Sequence, residues 1–264
     1  MGCCQQHKSK TRVIKPKVSA LSVSTADENQ YLDSPIKPNS KLLLSYYASN
    51  SKMPSSFKSI FEAIFVHEEI DMDEINLNFV SFGLDGVYHF EMITSYFTHI
   101  KILKLSNIEI MNVHVKRLSH SIAQMINLEV LGVEGNRFSA DGIQQLNPFK
   151  HLKKLKELYL DRNNIKSYGM KYLCENLAKL EGLEVLSLKQ NLIEDEGIFT
   201  LGKIWCYLPN LKALDACENM ISDIGAKYIA KNFFSLKYLD LSRNSIDLKL
   251  KFLFEANQTL QAIL

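Results

Sequence analysis

The sequence predicts an α/β solenoid, in which short strands and helices alternate around a repeating coil. A parallel sheet lines the concave side and helices cover the convex side. Three observations predict it. Apolar residues recur in the order L-x-x-L-x-L-x-x-N, at Leu128, Leu131, Val133, Asn136, then Leu155, Leu158, Leu160, Asn163, then Leu183, Leu186, Leu188, Asn191. The pattern continues at Leu211, Leu214, Ala216, Asn219 and at Leu236, Leu239, Leu241, Asn244. The asparagines are separated by 27, 28, 28 and 25 residues, and a glycine (Gly142, Gly169, Gly197, Gly225) stands six residues after each of the first four. Matched positions at one period are the signature of stacked supersecondary units, none of which can bury its apolar face alone.

Taken along the chain, residues 1–54 are rich in Ser, Lys, Pro and Asn and carry no apolar period, the composition of a disordered tail. The segment 55–69 reads as a capping helix for the first coil, with Phe57, Ile60, Phe61, Ile64 and Phe65 on one stripe and Ser55 or Ser56 at its N-cap. An exposed partner helix is the other reading of that stripe. The repeats occupy 70–264. Two upstream units, Met72/Ile75/Leu77/Val80 and Ile100/Leu103/Leu105/Ile108, replace the asparagine by an apolar residue, as terminal repeats often do. That makes seven repeats, and Leu260, Ile263 and Leu264 begin a partial eighth. Within a unit, alternating apolar residues make a half-buried strand. The asparagines Asn136, Asn163, Asn191, Asn219 and Asn244 are expected to turn inward and satisfy backbone groups in the following bend. Spans such as 168–180 and 196–208 carry helical spacing. The last repeat has no polar cap, so that end is either truncated or met by a partner.

The pattern LxxLxLxxNxIxxxG at this period resembles the ribonuclease-inhibitor-like leucine-rich repeats, a group that includes ribonuclease inhibitor, Ran GTPase-activating protein and NOD-like receptors. The resemblance covers about three quarters of the chain, which lacks any nucleotide-binding region. It implies a horseshoe-shaped leucine-rich-repeat solenoid that binds proteins and is not an enzyme. By resemblance to Ran GTPase-activating protein, the alternative is an activator of a small Ran-type GTPase, working through loops after the strands. Asn136-Arg137 and Arg162-Asn163 occupy such loops here.

Strand residues between the core leucines point to the concave face. One column is Asn76, Lys104, Gly132, Tyr159, Ser187, Asp215, Asp240, and its neighbour is Asn78, Ser106, Glu134, Asp161, Lys189, Cys217, Ser242. Glu134, Asp161, Asp215 and Asp240 make that face net acidic, with Tyr159 near its middle, Lys189 among them, and Arg162 and Arg243 at the rim. Acidic groups steer basic partners, and Tyr and Arg are frequent anchors, so a protein partner with a basic surface is expected. A merely solvated face is the plainer reading. The chain opens Met1-Gly2-Cys3-Cys4-Gln5-Gln6, followed by Lys8, Lys10, Arg12, Lys15 and Lys17, with no acidic residue before Asp27. Myristate on Gly2 and palmitate on Cys3 and Cys4, backed by the basic cluster, would anchor the tail at the cytoplasmic face of a membrane. Position six is Gln6 where the usual motif has Ser or Thr. A chance Gly-Cys-Cys start on a basic tail is the competing reading.

A net charge of +2 favours no class of partner, and the basic residues are not interleaved with exposed aromatics, which argues against nucleic acid. No P-loop, GxGxxG, HExxH or GxSxG occurs, and His67-Glu68-Glu69 has Asp71 where a zinc-protease motif needs histidine. No metal or other cofactor is expected. His89, His99, His114, His120 and His151 read as surface or half-buried residues. Five cysteines without framework spacing point to a reducing, intracellular setting. No run approaches the length of a membrane span.

Overall fold

A computed structural model describes residues 53, 55, 57–58, 73–82, 86–94, 96–110, 112–255 and 259–264, all within the unit Leu42–Leu264. Gly2, Cys3 and Cys4 lie outside these residues, as does most of 55–69.

Each coil contributes one three-residue strand: β1 (Glu74–Asn76), β2 (Ile102–Lys104), β3 (Val130–Gly132), β4 (Glu157–Tyr159), β5 (Val185–Ser187), β6 (Ala213–Asp215), β7 (Tyr238–Asp240) and β8 (Gln261–Ile263). Helices alternate with them: α1 (Gly86–Thr94), α2 (Asn112–Ile122), α3 (Ala140–Gln145), α4 (Lys166–Leu177), α5 (Glu194–Lys203), α6 (Asp223–Asn232) and the short α7 (Phe252–Glu255). The eight strands form one parallel sheet in chain order, in register from Ile75↔Leu103 to Leu239↔Ala262. Strands sit about 4.8 Å apart while helices are about 10 Å thick. Stacking them on opposite sides therefore curves the stack, with the sheet on the inside.

The middle strand residues Leu103, Leu131, Leu158, Leu186, Leu214 and Leu239 are fully buried, as are Leu105, Val133, Leu160, Leu188, Ala216 and Leu241 two positions on. Each large one stabilises the stack by about 2 kcal/mol relative to exposure. Gly169 shows why small residues begin the helices. A Cβ there would lie 2.9 Å from Ile165 Cγ2 and 3.2 Å from the Ala140 backbone, so the glycine lets α4 approach the preceding coil.

Helix ends depart from the sequence reading. The expected span 168–180 is Lys166–Leu177, and 196–208 is Glu194–Lys203 followed by a 3₁₀ turn at Trp205–Tyr207. The turn swings Trp205 inward to stack on Phe233, with centroids 3.8 Å apart. At the N-terminal side, Ser55, Phe57 and Lys58 are helical. Phe57 is buried, 5.1 Å from the Phe82 ring and 5.4 Å from His89. His89 is thus a core residue, not the surface or half-buried group the sequence suggested, because it fills space beneath Phe57.

The turns after β3, β4, β5, β6 and β7 are each built around an asparagine. Asn163 Nδ2 donates to Val133 O and Leu160 O, both at 2.9 Å, while its Oδ1 accepts from Asn136 N at 3.1 Å and Phe138 N at 3.3 Å. Asn191, Asn219 and Asn244 repeat this bridging from coil to coil. Ile108, which replaces the asparagine, keeps the same backbone bond, its N–H donating to Asn136 Oδ1 at 2.9 Å. The flanking residues adopt left-handed backbone, among them Arg162 and Asn164, Gln190 and Leu192, and Glu218 and Met220. Such conformations cost non-glycine residues roughly 1 kcal/mol each. Inter-coil bonds hold them, such as Arg162 N to Lys189 O at 2.8 Å and Gln190 N to Cys217 O at 3.0 Å.

Candidate protein-interaction face

The parallel register sets three side-chain columns on the sheet. The middle column runs Asn76, Lys104, Gly132, Tyr159, Ser187, Asp215, Asp240, as strand-to-strand pairing shows. The column at the strand starts is Glu74, Ile102, Val130, Glu157, Val185, Ala213 and Tyr238, all half-buried. The sequence reading missed it. The signal was available, because positions two residues apart in a strand share a face. Its apolar members resemble core residues in a linear sequence, which hid them.

One residue before strands β1 to β6, charges alternate in sign from coil to coil. Lys101 pairs with Asp73 at 3.1 Å, Lys156 with Glu129 at 2.7 Å and Lys212 with Glu184 at 2.7 Å. Exposed pairs of this kind add little stability. Their effect is to neutralise this edge, so the net charge of the face comes from the other columns.

Those columns carry carboxylates in the coils of β3, β4, β6 and β7, with Lys189 between them in the coil of β5. Asp161 Oδ1 accepts from Ser187 Oγ at 2.5 Å and from Lys189 N at 3.1 Å. Glu134 accepts from Ser106 Oγ. Asp215 and Asp240 each accept from the N–H two residues on, Cys217 at 2.9 Å and Ser242 at 2.8 Å. The Tyr159 hydroxyl donates to Glu157 Oε2 at 2.7 Å, which fixes the ring. Hydrogen bonding under these carboxylates buries Ser106, Ser187 and Cys217, which the sequence placed on the open face.

The electrostatics record burial first and the nearness of like charges second. Burial, with Asp240 and Asp161 nearby, pushes the Asp215 carboxyl up to about 6. Burial, with Glu134 nearby, also raises Asp161, against the lowering effect of the Ser187 hydroxyl. Burial, helped by Asp240 and Asp215, pushes Tyr238 up to about 12. Arg162 and Arg243 are exposed at the rim, and Arg243 Nη1 lies 2.8 Å from Glu218 Oε1. The structure thus brings Glu134, Tyr159, Asp161, Lys189, Asp215 and Asp240 onto one side of the sheet and leaves the two arginines at its border.

Donor atoms of Asp215, Cys217 and Asp240 lie within 4.8 Å of one another. A mixed thiol–carboxylate set on an open sheet suits neither the nitrogen and sulfur shell of zinc nor the oxygen shell of a hard cation. Burial raises the Cys217 thiol, which opposes the thiolate a metal would need.

Coils of this kind, with an asparagine-bridged turn after the strands β3 to β7, define a leucine-rich-repeat solenoid, a class of fold that serves as a protein-interaction scaffold. Leucine-rich-repeat family profiles match residues 151–174 and 235–256. Among curated proteins, none matches the sequence. Solved structures with similar coils include actin-binding site 2 of leiomodin-1, at 14% identity and TM-score 0.41, covering 62% of this chain and 78% of that one. An internalin from Listeria monocytogenes matches at 16% identity and TM-score 0.36, over 66% of this chain and 56% of that one. TLR13, in a complex with single-stranded RNA, matches at 22% identity and TM-score 0.41, over 62% of this chain and 25% of that one. Among the described residues, no helix is long and apolar enough to cross a membrane.

Proposed function

We propose that this chain is an intracellular leucine-rich-repeat adaptor of the ribonuclease-inhibitor-like type. Its concave face grips a protein with a basic surface, and its N-terminal tail, acylated at Gly2, Cys3 and Cys4, tethers it to a membrane. The observation that carries the binding reading is the two pairs of carboxylates, Glu134 with Asp161 and Asp215 with Asp240, set on one side of the sheet about Lys189 and beside the fixed ring of Tyr159. Burial, with Asp240 and Asp161 adding to it, raises the proton affinity of Asp215, and a group so placed favours an incoming cation.

The second reading, a regulator of a small Ran-type GTPase, is favoured by the exposure of Arg137 and Arg162 in the loops after β3 and β4. It is weakened by the asparagines beside them. The Asn136 and Asn163 side chains are buried and committed to backbone hydrogen bonds, so they are not available to a partner.

Affinity capture on the C-terminally tagged chain tests the binding reading, with wild type compared against Tyr159→Ala/Asp161→Lys. The expected result is a set of proteins lost in the double variant while the domain stays folded. Retention of the full set would remove the concave face from the account. Appearance of a small GTPase in the set leads directly to a hydrolysis assay. Flotation with anionic vesicles after expression with myristoyl and palmitoyl transferases tests the tether, and Gly2→Ala should abolish it.

A further inference from the structure

The connections that lead from each helix back to the sheet form one side of the stack, opposite the asparagine turns. Those that enter β3 to β7 are residues 123–129, 146–156, 178–184, 204–212 and 233–237. Two of their lysines are neutralised, Lys156 by Glu129 and Lys212 by Glu184. What remains is Lys150, Lys153, Lys154, Lys179 and Lys237 against one carboxylate, Glu181. Among the described residues, no carboxylate forms an ion pair with any of these five lysines. Neighbouring connections touch through neutral acceptors instead. Lys154 Nζ donates to Asn127 Oδ1 at 2.6 Å, and Lys153 Nζ to Lys179 O at 3.4 Å. Their charge is therefore gathered and left unbalanced.

Apolar side chains stand at the tips of the same connections. Ile126 and Tyr207 are each 55% exposed and Phe234 is 74% exposed. The core at each tip is already filled by the residue beside it, Met125, Leu208 and Phe233, all buried. The exposed three thus contribute little to packing. Lysines interspersed with protruding apolar groups are the composition of a surface that lies in a membrane interface. Arginine is the residue of choice for bases and carboxylates, and these connections contain none. Lysine is also depleted where proteins meet. A hydrated point charge on a long stem suits an array of lipid headgroups, which demands no fixed geometry.

We propose that this side of the folded domain lies on an anionic lipid surface. The lysines sit among the headgroups, and Ile126, Tyr207 and Phe234 reach the boundary with the acyl chains. The carboxylates of the sheet are repelled by the same surface, so charge orients the stack and keeps the concave face open to the solvent. The contact belongs to the coils themselves and does not depend on acylation of Gly2.

The test uses the full chain carrying Gly2→Ala, which removes the acyl tether, at low ionic strength, where attraction to lysine reaches furthest. Its probes are phosphatidylcholine vesicles with and without phosphatidylserine. Binding is expected only with phosphatidylserine, and Lys153→Glu/Lys154→Glu should weaken it at least about tenfold. Arg137→Glu/Lys166→Glu makes the same change of net charge on the opposite side, among the asparagine turns, and should leave binding unchanged. An environment-sensitive fluorescent amino acid in place of Ile126 or Phe234 should shift to the blue on the vesicles. The same probe in place of Leu192, an exposed residue of an asparagine turn, should not shift. The probe positions leave every lysine in place, so they report orientation even where a charge variant fails to fold. Equal effects of the two charge variants, a blue shift at 192 in place of 126 and 234, or an RNA oligonucleotide bound more tightly than the vesicles would overturn the proposal.

Discussion

The side-chain oxygen of Asn163 accepts the backbone N–H of Asn136, one coil earlier, at 3.1 Å. The same bond recurs from Asn191 to Asn163 and from Asn219 to Asn191. Three-residue strands supply few hydrogen bonds of their own, so this chain of amides carries much of the polar cohesion between coils. It also fixes the turns that place Arg162, Gln190 and Glu218 at the rim of the face.

Replacing one link therefore strands two buried backbone N–H groups at once. Asn191→Ala takes the side-chain acceptor from Asn163 N and Ile165 N, while Leu160 O and Leu188 O each lose one of two amide donors and keep the other, from Asn163 and Asn219. We expect a loss of about 2–4 kcal/mol in denaturant unfolding, since each unsatisfied buried group costs about 1–3 kcal/mol and partial relaxation recovers some. Asn244→Ala, at a half-buried link, should lose less. A cost below about 1 kcal/mol at Asn191 would mean that water or a shifted turn replaces the amide.

Asp215 should give the domain an unusual pH dependence. Its folded-state carboxyl sits at about 6, above the ordinary carboxylate value. The folded state therefore holds a proton that the unfolded chain has released, and this group's contribution to stability falls as pH rises through that window. Asp215→Asn is expected to stabilise the domain by about 2 kcal/mol at neutral pH and to change little near pH 4. Urea titrations at the two pH values check the sign. A destabilised variant at neutral pH would mean the Asx turn to Cys217 outweighs the burial of charge.

Two glycines should answer the same substitution in opposite ways. Gly169→Ala places a methyl against Ile165 and the Ala140 backbone and should cost about 1–3 kcal/mol. At Gly182 the nearest atom to a new Cβ is 3.7 Å away, so alanine there should be neutral or stabilise by up to about 1 kcal/mol. Thermal unfolding of the pair separates close packing from backbone freedom as the reason for each residue.

The strand register was legible in the sequence because one period places Leu131, Leu158, Leu186 and Leu214 at equivalent points. Stacking equivalent points leaves little choice of pairing. The column of Val130, Glu157, Val185 and Tyr238 was less legible, since an apolar residue beside a core leucine does not announce which face it occupies. Burial of Ser187 depends on Asp161 in the preceding coil reaching over it, a contact between residues 26 apart that no local pattern encodes. The left-handed turns left a trace only where the residue suits them, at Asn107, Gly135 and Asn164. The left-handed Phe79 gives no such signal.

The central claim is that the sheet, and not the helical side, meets the partner. Incorporating p-azidophenylalanine in place of Tyr159, or in place of the exposed helix residue Tyr168, and irradiating in the presence of the captured partner tests it directly. The account predicts a covalent adduct from position 159 and none from 168, whereas an adduct from 168 alone would contradict it.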